Sequence, residues 1–349
     1  MSRGMQSYIR PFFRAGRRFV GGALLDVISR GWHVRPLPDI CWCGEHFTSA
    51  KGSGRYLERR LVFVYRAGYR ARGSVRLRVA QLAAAVKASV SNPELVIVVT
   101  EDSHWLRSTE PMDMVWTKST LTGDVRSALS THAARGHRVF VDFVDGTDIP
   151  EIADTVYGYI CASRTELNYR AHRGNRAWYV PHAVDTRIPH CDFDRESLQF
   201  GYFGRPWMVE HLENLSEIRS IPAEESFGDR DFVHTMETVA QWSHHYSVRS
   251  FFGVGNFKPP TKVFVAARLG ALFVGSRQDE EVQLLMGNDY PYLSKNSSLE
   301  EVRKTLEFAR DTFLAEPWNR ARKTMQVVRR ESCDAFIAEQ LIGSLEVRR

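Results

Sequence analysis

Apolar positions along this chain come in two rhythms that take turns. A helical spacing runs through residues 17–31 and stops at Gly31, a residue suited to a helix end. A short strand pattern follows at 32–38, then a helical stretch at 74–90 and a buried-strand pattern at 92–102 that closes in acids. The alternation continues with a strand at 113–120, a helix at 122–137, a strand at 138–148, a strand at 156–163, a helix at 164–174 and a last strand and loop at 177–186. Strands alternating with helices predict parallel sheets covered on both faces.

Between residues 185 and 199, "DTRIPHCDFDRESLQ", the rhythm loosens and a proline appears, which predicts a linker. A second series then opens with a strand at 198–206. It continues with a helix at 231–245 and a strand with a loop at 246–255. A loop, helix and strand follow within 256–276, then helical stretches at 280–294 and 298–317, and a final helix from Trp318 to near the C-terminus. The predicted architecture is α/β, with two doubly wound Rossmann-like domains and an inter-domain cleft. The expected division is 1–188, 189–325 and a C-terminal helix at 326–349 that packs back on the first domain. Ligands of such sheets bind outside the carboxyl ends of the strands, here in the cleft.

Composition narrows the class. At 349 residues, 43% hydrophobic and 25% charged, the chain matches a soluble globular protein of two domains. No apolar run approaches the ~18 residues needed to span a bilayer. The start, "MSRGMQSYIRPFFRAGRRF", lacks a signal-peptide core, so a cytosolic location is expected. Five cysteines without regular spacing argue against a disulfide framework, and Cys41 and Cys43 have no second pair with which to form a metal site. Charge is uneven: residues 1–100 hold 17 Lys+Arg against 5 Asp+Glu. Such a front suits anionic lipid, an acidic substrate or plain solvent. Nucleic acid is not expected, since no zinc-finger, RNP-type or helix-turn-helix pattern occurs.

The stretch "NFKPPTKVFVAARLGALFVGS", Asn256–Ser276, places Lys258, two prolines, Thr261 and Lys262 at the mouth of a predicted helix. Proline fits the start of a helix, Thr261 is a candidate cap, and helix mouths favour anions. An ordinary helix start with two solvated lysines fits this segment alone equally well. Earlier in the same half, "LQFGYFGRPW" runs a strand into Gly204 and Arg205; glycine permits close approach and the guanidinium fork suits phosphate oxygens.

Together these segments resemble a GT-B glycosyltransferase of the "group 1" type. "YICASRTELNYRAHRGNRAWYVPHAVDT" follows the family's order at the end of the first domain, with His182 and Ala183 where the family has Asn-Gly. "GYFGRPW" stands at its "GR" strand end, "KPPTKVFVAARLGALFVGS" at its donor-phosphate helix, and "EEVQLLMGNDYPYLSKNSSLEEVRKTLEFA" at its Glu-rich turn and terminal helix. The resemblance implies transfer of a sugar from a nucleotide-diphosphate sugar to a hydroxyl of a glycan or lipid-linked saccharide, as in polysaccharide biosynthesis. It leans towards retention at the anomeric carbon. Gly204, Arg205, Lys258, Thr261 and Lys262 then bind the donor, with no metal and no separate cofactor.

Two departures stand out. The family's paired glutamates are replaced by Phe257 and Val265, and the lysine after its Gly-Arg strand is absent. Asp279, Glu280 and Glu281 are candidate ribose ligands, and equally suit the first turn of a helix. In the first domain, acids and a histidine at strand carboxyl ends are where general bases sit. Asp145, His104 and Glu101 are the candidates, with Asp142 inside its strand, Asp102 and Asp148 serving as turn or cap residues, and Gly146 beside Asp145. His244 and His245 are packing or surface residues. A non-catalytic GT-B-like glycan or nucleotide binder is the rival reading. Arg14, Arg17 and Arg18 are candidates for peripheral contact with an anionic membrane.

Overall fold

Strand follows strand in parallel throughout, in two sheets. The computed structural model describes residues 59–66, 68–69, 72–90, 96–100, 111–121, 125–145, 152–223, 229–249 and 257–346. Glu101, Asp102, His104, Gly146, Asp148, Cys41, Cys43, Arg14, Arg17 and Arg18 lie outside them. All described residues belong to one compact unit, Val34–Arg349.

The first sheet has six strands: β1 Arg60–Tyr65, β2 Val96–Thr100, β3 Met112–Thr117, β4 Arg138–Asp142, β5 Gly158–Cys161 and β6 Ala177–Tyr179. They are ordered β2-β1-β3-β4-β5-β6. Its helix α1 runs Gly73–Val75, widens into a π-turn at Arg76–Gln81 and continues through Leu82–Ser89. α2 is Val125–Ala134 and α3 is Arg164–His172. The second sheet holds β7 Phe200–Gly204, β8 Ile218–Pro222, β9 His244–Tyr246, β10 Leu272–Ser276 and β11 Leu293–Ser294, ordered β11-β10-β9-β7-β8. Its helices are α4 Asp229–Val239, α5 Thr261–Arg268, α6 Glu280–Met286, α7 Leu299–Asp311 and α8 Glu316–Glu331. The chain closes with α9, Asp334–Glu346.

β8 has no counterpart in the sequence expectation and β11 falls in the helical stretch expected at 280–294; three further elements differ, each for a physical reason. β1 lies between β2 and β3, yet its segment has no alternation to reveal it. Leu61–Tyr65 are all buried, as a parallel strand covered on both faces must be, and a short unbroken apolar run gives no period. The helix expected over 231–245 ends at Val239, and His244–Tyr246 instead form the central β9. Both histidines are buried in aromatic company: His244 meets Tyr292 and Trp318 edge-on, and His245 meets Trp242. Burial pushes both down to about 3, so they are neutral packing groups.

The expected single last helix is two. α8 buries Trp318, Ala321, Met325 and Val328 in the second core. After Ser332 and Cys333 the chain turns, and α9 buries Ile337, Ala338, Leu341, Ile342 and Leu345 in the first. Gln81 on α1 donates to Asp334 at 2.7 Å and so pins the start of α9. Among the described residues no helix is long and apolar enough to cross a membrane.

Candidate functional site

A cavity of about 290 Å³ opens at the carboxyl ends of β7 and β9, against the start of α5. Gly204 and Arg205 enter it from the end of β7, Ser247 and Arg249 from the end of β9, and Lys258, Thr261 and Lys262 from α5 and its approach. Five residues singled out from the sequence therefore meet in one place. The fold dictates this: neighbouring parallel strands end on one edge, and the helix after β9 must start there to return antiparallel to them.

The helix mouth itself offers less than its sequence suggests. Pro260 occupies the cap position and makes no side-chain cap; Thr261 is the first helical residue and not the cap. Two of the first three amides turn inward, Thr261 N–H to the Pro259 carbonyl at 2.9 Å and Val263 N–H to that of Pro260 at 2.8 Å. The pull on an anion thus falls mainly on side-chain cations. Lys262 lays its ammonium 4.7 Å from the centre of the Phe203 ring and 5.8 Å from that of Tyr202. Burial and the nearby Lys258 push it down to about 8. Burial lowers Lys258 too, with Arg249, Arg205 and Lys118 adding to the effect and Asp145 opposing it.

Gly204 is required by packing. A Cβ there would sit 2.5 Å from the Tyr202 hydroxyl and 3.2 Å from Cε of Lys262. That hydroxyl donates to the Arg205 carbonyl at 2.7 Å and fixes the turn that presents Arg205.

Arg249 was not anticipated. The sequence placed it within a strand, whereas β9 ends at Tyr246 and leaves it on the cavity wall. Asp279 grips its guanidinium from two sides, with Nη2 at 2.6 Å and Nε closer still, and Nη1 donates to the Lys258 carbonyl at 3.0 Å. An Arg just past the carboxyl end of a parallel strand was the available signal.

The acids expected as ribose ligands are used elsewhere. None of them lines the cavity. Asp279 holds Arg249 and caps α6 by accepting from Val282 N–H at 3.2 Å. Glu280 is exposed. Glu281 is buried and reaches across to the first half, where it accepts from the backbone N–H groups of Arg164 (2.9 Å) and Thr165 (2.8 Å) and from the Thr165 hydroxyl (2.9 Å). It serves as a cap of α3.

On the first half, Asp145 stands exposed just past β4 and accepts from Lys118 Nζ at 2.6 Å. Its charge favours the protonated form of Lys258. Asp142 is fully buried and pairs with Nε of buried Arg78 at 2.7 Å. Its other oxygen accepts from Val144 N–H at 2.9 Å. Val144 has φ 63, a left-handed conformation that costs a β-branched residue on the order of 1–3 kcal/mol. Asp142 therefore fastens the strained turn that aims Asp145. Arg78 comes off the π-turn of α1 and also donates to the carbonyls of Val180 and Pro181, both at 2.8 Å. His182 lies buried nearby and is pushed down to about 4, chiefly by burial and then by Arg78.

No family model matches the chain, and no curated protein does. Solved structures do. HepE (Alr3699) from Anabaena, in complex with UDP, superposes with a TM-score of 0.54 at 10% identity, over 82% of this chain and 99% of its own. The chain has the GT-B fold. Two further structures superpose less closely. The GtfA/B complex gives a TM-score of 0.46 at 10% identity over 67% of this chain and 57% of that one. A trehalose-6-phosphate synthase from Burkholderia multivorans gives 0.45 at 8% identity over 77% and 76%. Both sheets of the GT-B architecture are present here, and the cavity belongs to the second of them.

Proposed function

We propose that this chain is a glycosyltransferase that takes a nucleotide-diphosphate sugar and transfers its sugar to a hydroxyl of a glycan or lipid-linked saccharide. The observation that carries the reading is the convergence of Arg205, Arg249, Lys258 and Lys262 on one cavity, in a GT-B fold, at strand ends. HepE, of the same fold, is seen in complex with UDP.

In this reading the diphosphate lies against Arg205, Lys258 and Lys262, whose charges stabilise it as it departs, without a metal. One such preorganised group is commonly worth ~10²–10³ in rate. Asp145 stands on the opposite edge, where a carboxylate orients or deprotonates the acceptor hydroxyl. Lys118, 2.6 Å away, holds it in place. The resemblance to the group 1 family leans towards retention.

The test is a thermal-shift panel of nucleoside diphosphates against the matching nucleosides. Ligand at 100 times its dissociation constant stabilises by ~2.7 kcal/mol. Diphosphates should stabilise the wild type, and Arg205→Ala should abolish most of that gain. Equal shifts with diphosphate and nucleoside would remove the assignment.

One observation favours the rival, a non-catalytic binder. Phe257, at a place where the resemblance expects a glutamate, is buried and packs on Tyr169 of the first half, ring centres 4.8 Å apart. Slow hydrolysis of a nucleotide sugar in the absence of acceptor separates the two: an enzyme shows it, a binder does not.

A further inference from the structure

Among the described residues, cations gather at the strand-end edge of the first sheet. β1 and β3 are adjacent and parallel, so the residues after each strand share the edge that carries Asp145. After β1 comes Arg66, and after β3 comes Lys118. The two turns are tied, because Arg66 N–H donates to the Ser119 hydroxyl at 3.2 Å and Ser119 meets the Thr117 hydroxyl at 3.2 Å. Beyond Arg66 an aromatic ring stands out: Tyr69, 38% exposed, with the guanidinium carbons of Arg66 and Arg72 each 5.8 Å from its ring centre. Arg66 and Arg72 are both exposed.

This combination has a specific chemistry. Guanidinium groups recognise carboxylate or phosphate oxygens through their planar fork, and an exposed tyrosine ring offers an apolar face with a polar tip. A neutral sugar needs the ring but not the cations. A bare anion needs the cations but not the ring. Asp145, held by Lys118 at 2.6 Å, stands on the same edge of strand ends.

We propose that the acceptor is an acidic saccharide, its carboxylate or phosphate held by Arg66 and Arg72 beside Tyr69, with its reacting hydroxyl directed to Asp145. The proposal rests on the glycosyltransferase reading, whose donor cavity is tested separately below.

The experiment uses the full chain with inorganic pyrophosphate held at saturation to occupy the cavity of the second half. Glucose, glucuronic acid, glucose 6-phosphate and inorganic phosphate are titrated by calorimetry. Glucuronic acid or glucose 6-phosphate should bind at least tenfold tighter than glucose, and glucose 6-phosphate tighter than inorganic phosphate. The double variant Arg66→Gln with Arg72→Gln should lose at least tenfold for the acidic sugar and keep pyrophosphate affinity within twofold. Its Lys-for-Arg counterpart should retain most of the binding, which separates lost charge from lost folding.

No preference for acidic over neutral sugar, including no binding of either, overturns the proposal. So does inorganic phosphate binding as tightly as the sugar phosphate, or a double Gln variant that binds as wild type does. Failure of pyrophosphate to bind the wild type strikes the donor cavity instead, and the same titrations without it still report on Arg66 and Arg72.

Discussion

The two halves put charge to opposite uses. In the first, Arg78 with Asp142 and Arg170 with Glu166 are buried pairs, each side chain about 1% exposed or less. Arg170 is sandwiched as well, its guanidinium 4.2 Å from the Tyr159 ring centre and 4.8 Å from that of Phe143. In the second half, Lys262 has no paired carboxylate among the described residues, and the charged group that shifts it is another lysine, Lys258. Buried pairs specify geometry and contribute little net stability, although losing one partner is costly. Clustered cations are themselves destabilising and make sense when an anion is to arrive. The contrast therefore separates a scaffold of charges from a receptor of charge.

On that division, deleting a charge from a buried pair of the first half costs stability, and deleting one of the clustered cations of the cavity costs binding. The largest effect belongs to Arg78→Met, which strands Asp142 in the interior. It should lower stability by about 3–5 kcal/mol in urea unfolding, while the protein that remains folded binds diphosphate normally. A loss below 1 kcal/mol would break the comparison at its strongest point. Asp145→Asn comes next: transfer should fall at least ~10²-fold, as for a general acid–base group, with nucleotide affinity within about threefold. Normal transfer by a stable variant would shift attention to His104 and Glu101.

Lys262→Met keeps the stem over Phe203 and removes the charge. Diphosphate affinity should drop about 10–100-fold, as expected of a charge-assisted contact of ~1.5–3 kcal/mol, while the melting temperature rises. A fall in both would mean that Lys262 is scaffold after all. Glu281→Gln weakens the cap of α3 and should cost about 1 kcal/mol, measured as faster hydrogen exchange at the start of that helix.

The smallest effect is one of pH. Lys262 is held near 8 when folded, below its ordinary 10.5, so the unfolded chain binds more protons between these values. Stability without ligand should therefore rise with pH across about 8 to 10.5, as diphosphate affinity falls. Titration calorimetry in buffers of different ionisation enthalpy should show proton uptake on binding near pH 8.

Legibility in the sequence follows the range of the interactions involved. The alternation of the second half, without β8 and β11, and the gathering of Gly204, Arg205, Lys258 and Lys262 were readable, because strand ends and helix starts are local and the fold brings such ends to one edge. β1 was not, because a strand buried on both faces shows no alternation. The placing of Arg249 depended on ending β9 at Tyr246, and boundaries are where periodicity is weakest. That Asp279, Glu280 and Glu281 start a helix was readable, and Asp279 caps α6; the distant partners of Asp279 and Glu281 were not. Acids after a strand look alike in sequence, and what distinguishes these is a partner 30 residues back for one and more than 100 back for the other.

Glu281 also bears on how such a chain can be recombined. The carboxylate that closes α3 is encoded in the other half, so the two halves are not interchangeable cassettes. A chimaera that joins this first half to a foreign second half would inherit an open helix end at Arg164 and Thr165 unless the donor of the second half also carries an acid at that place. Compatibility between grafted halves thus depends on side chains, Glu281 among them, that belong to neither sheet.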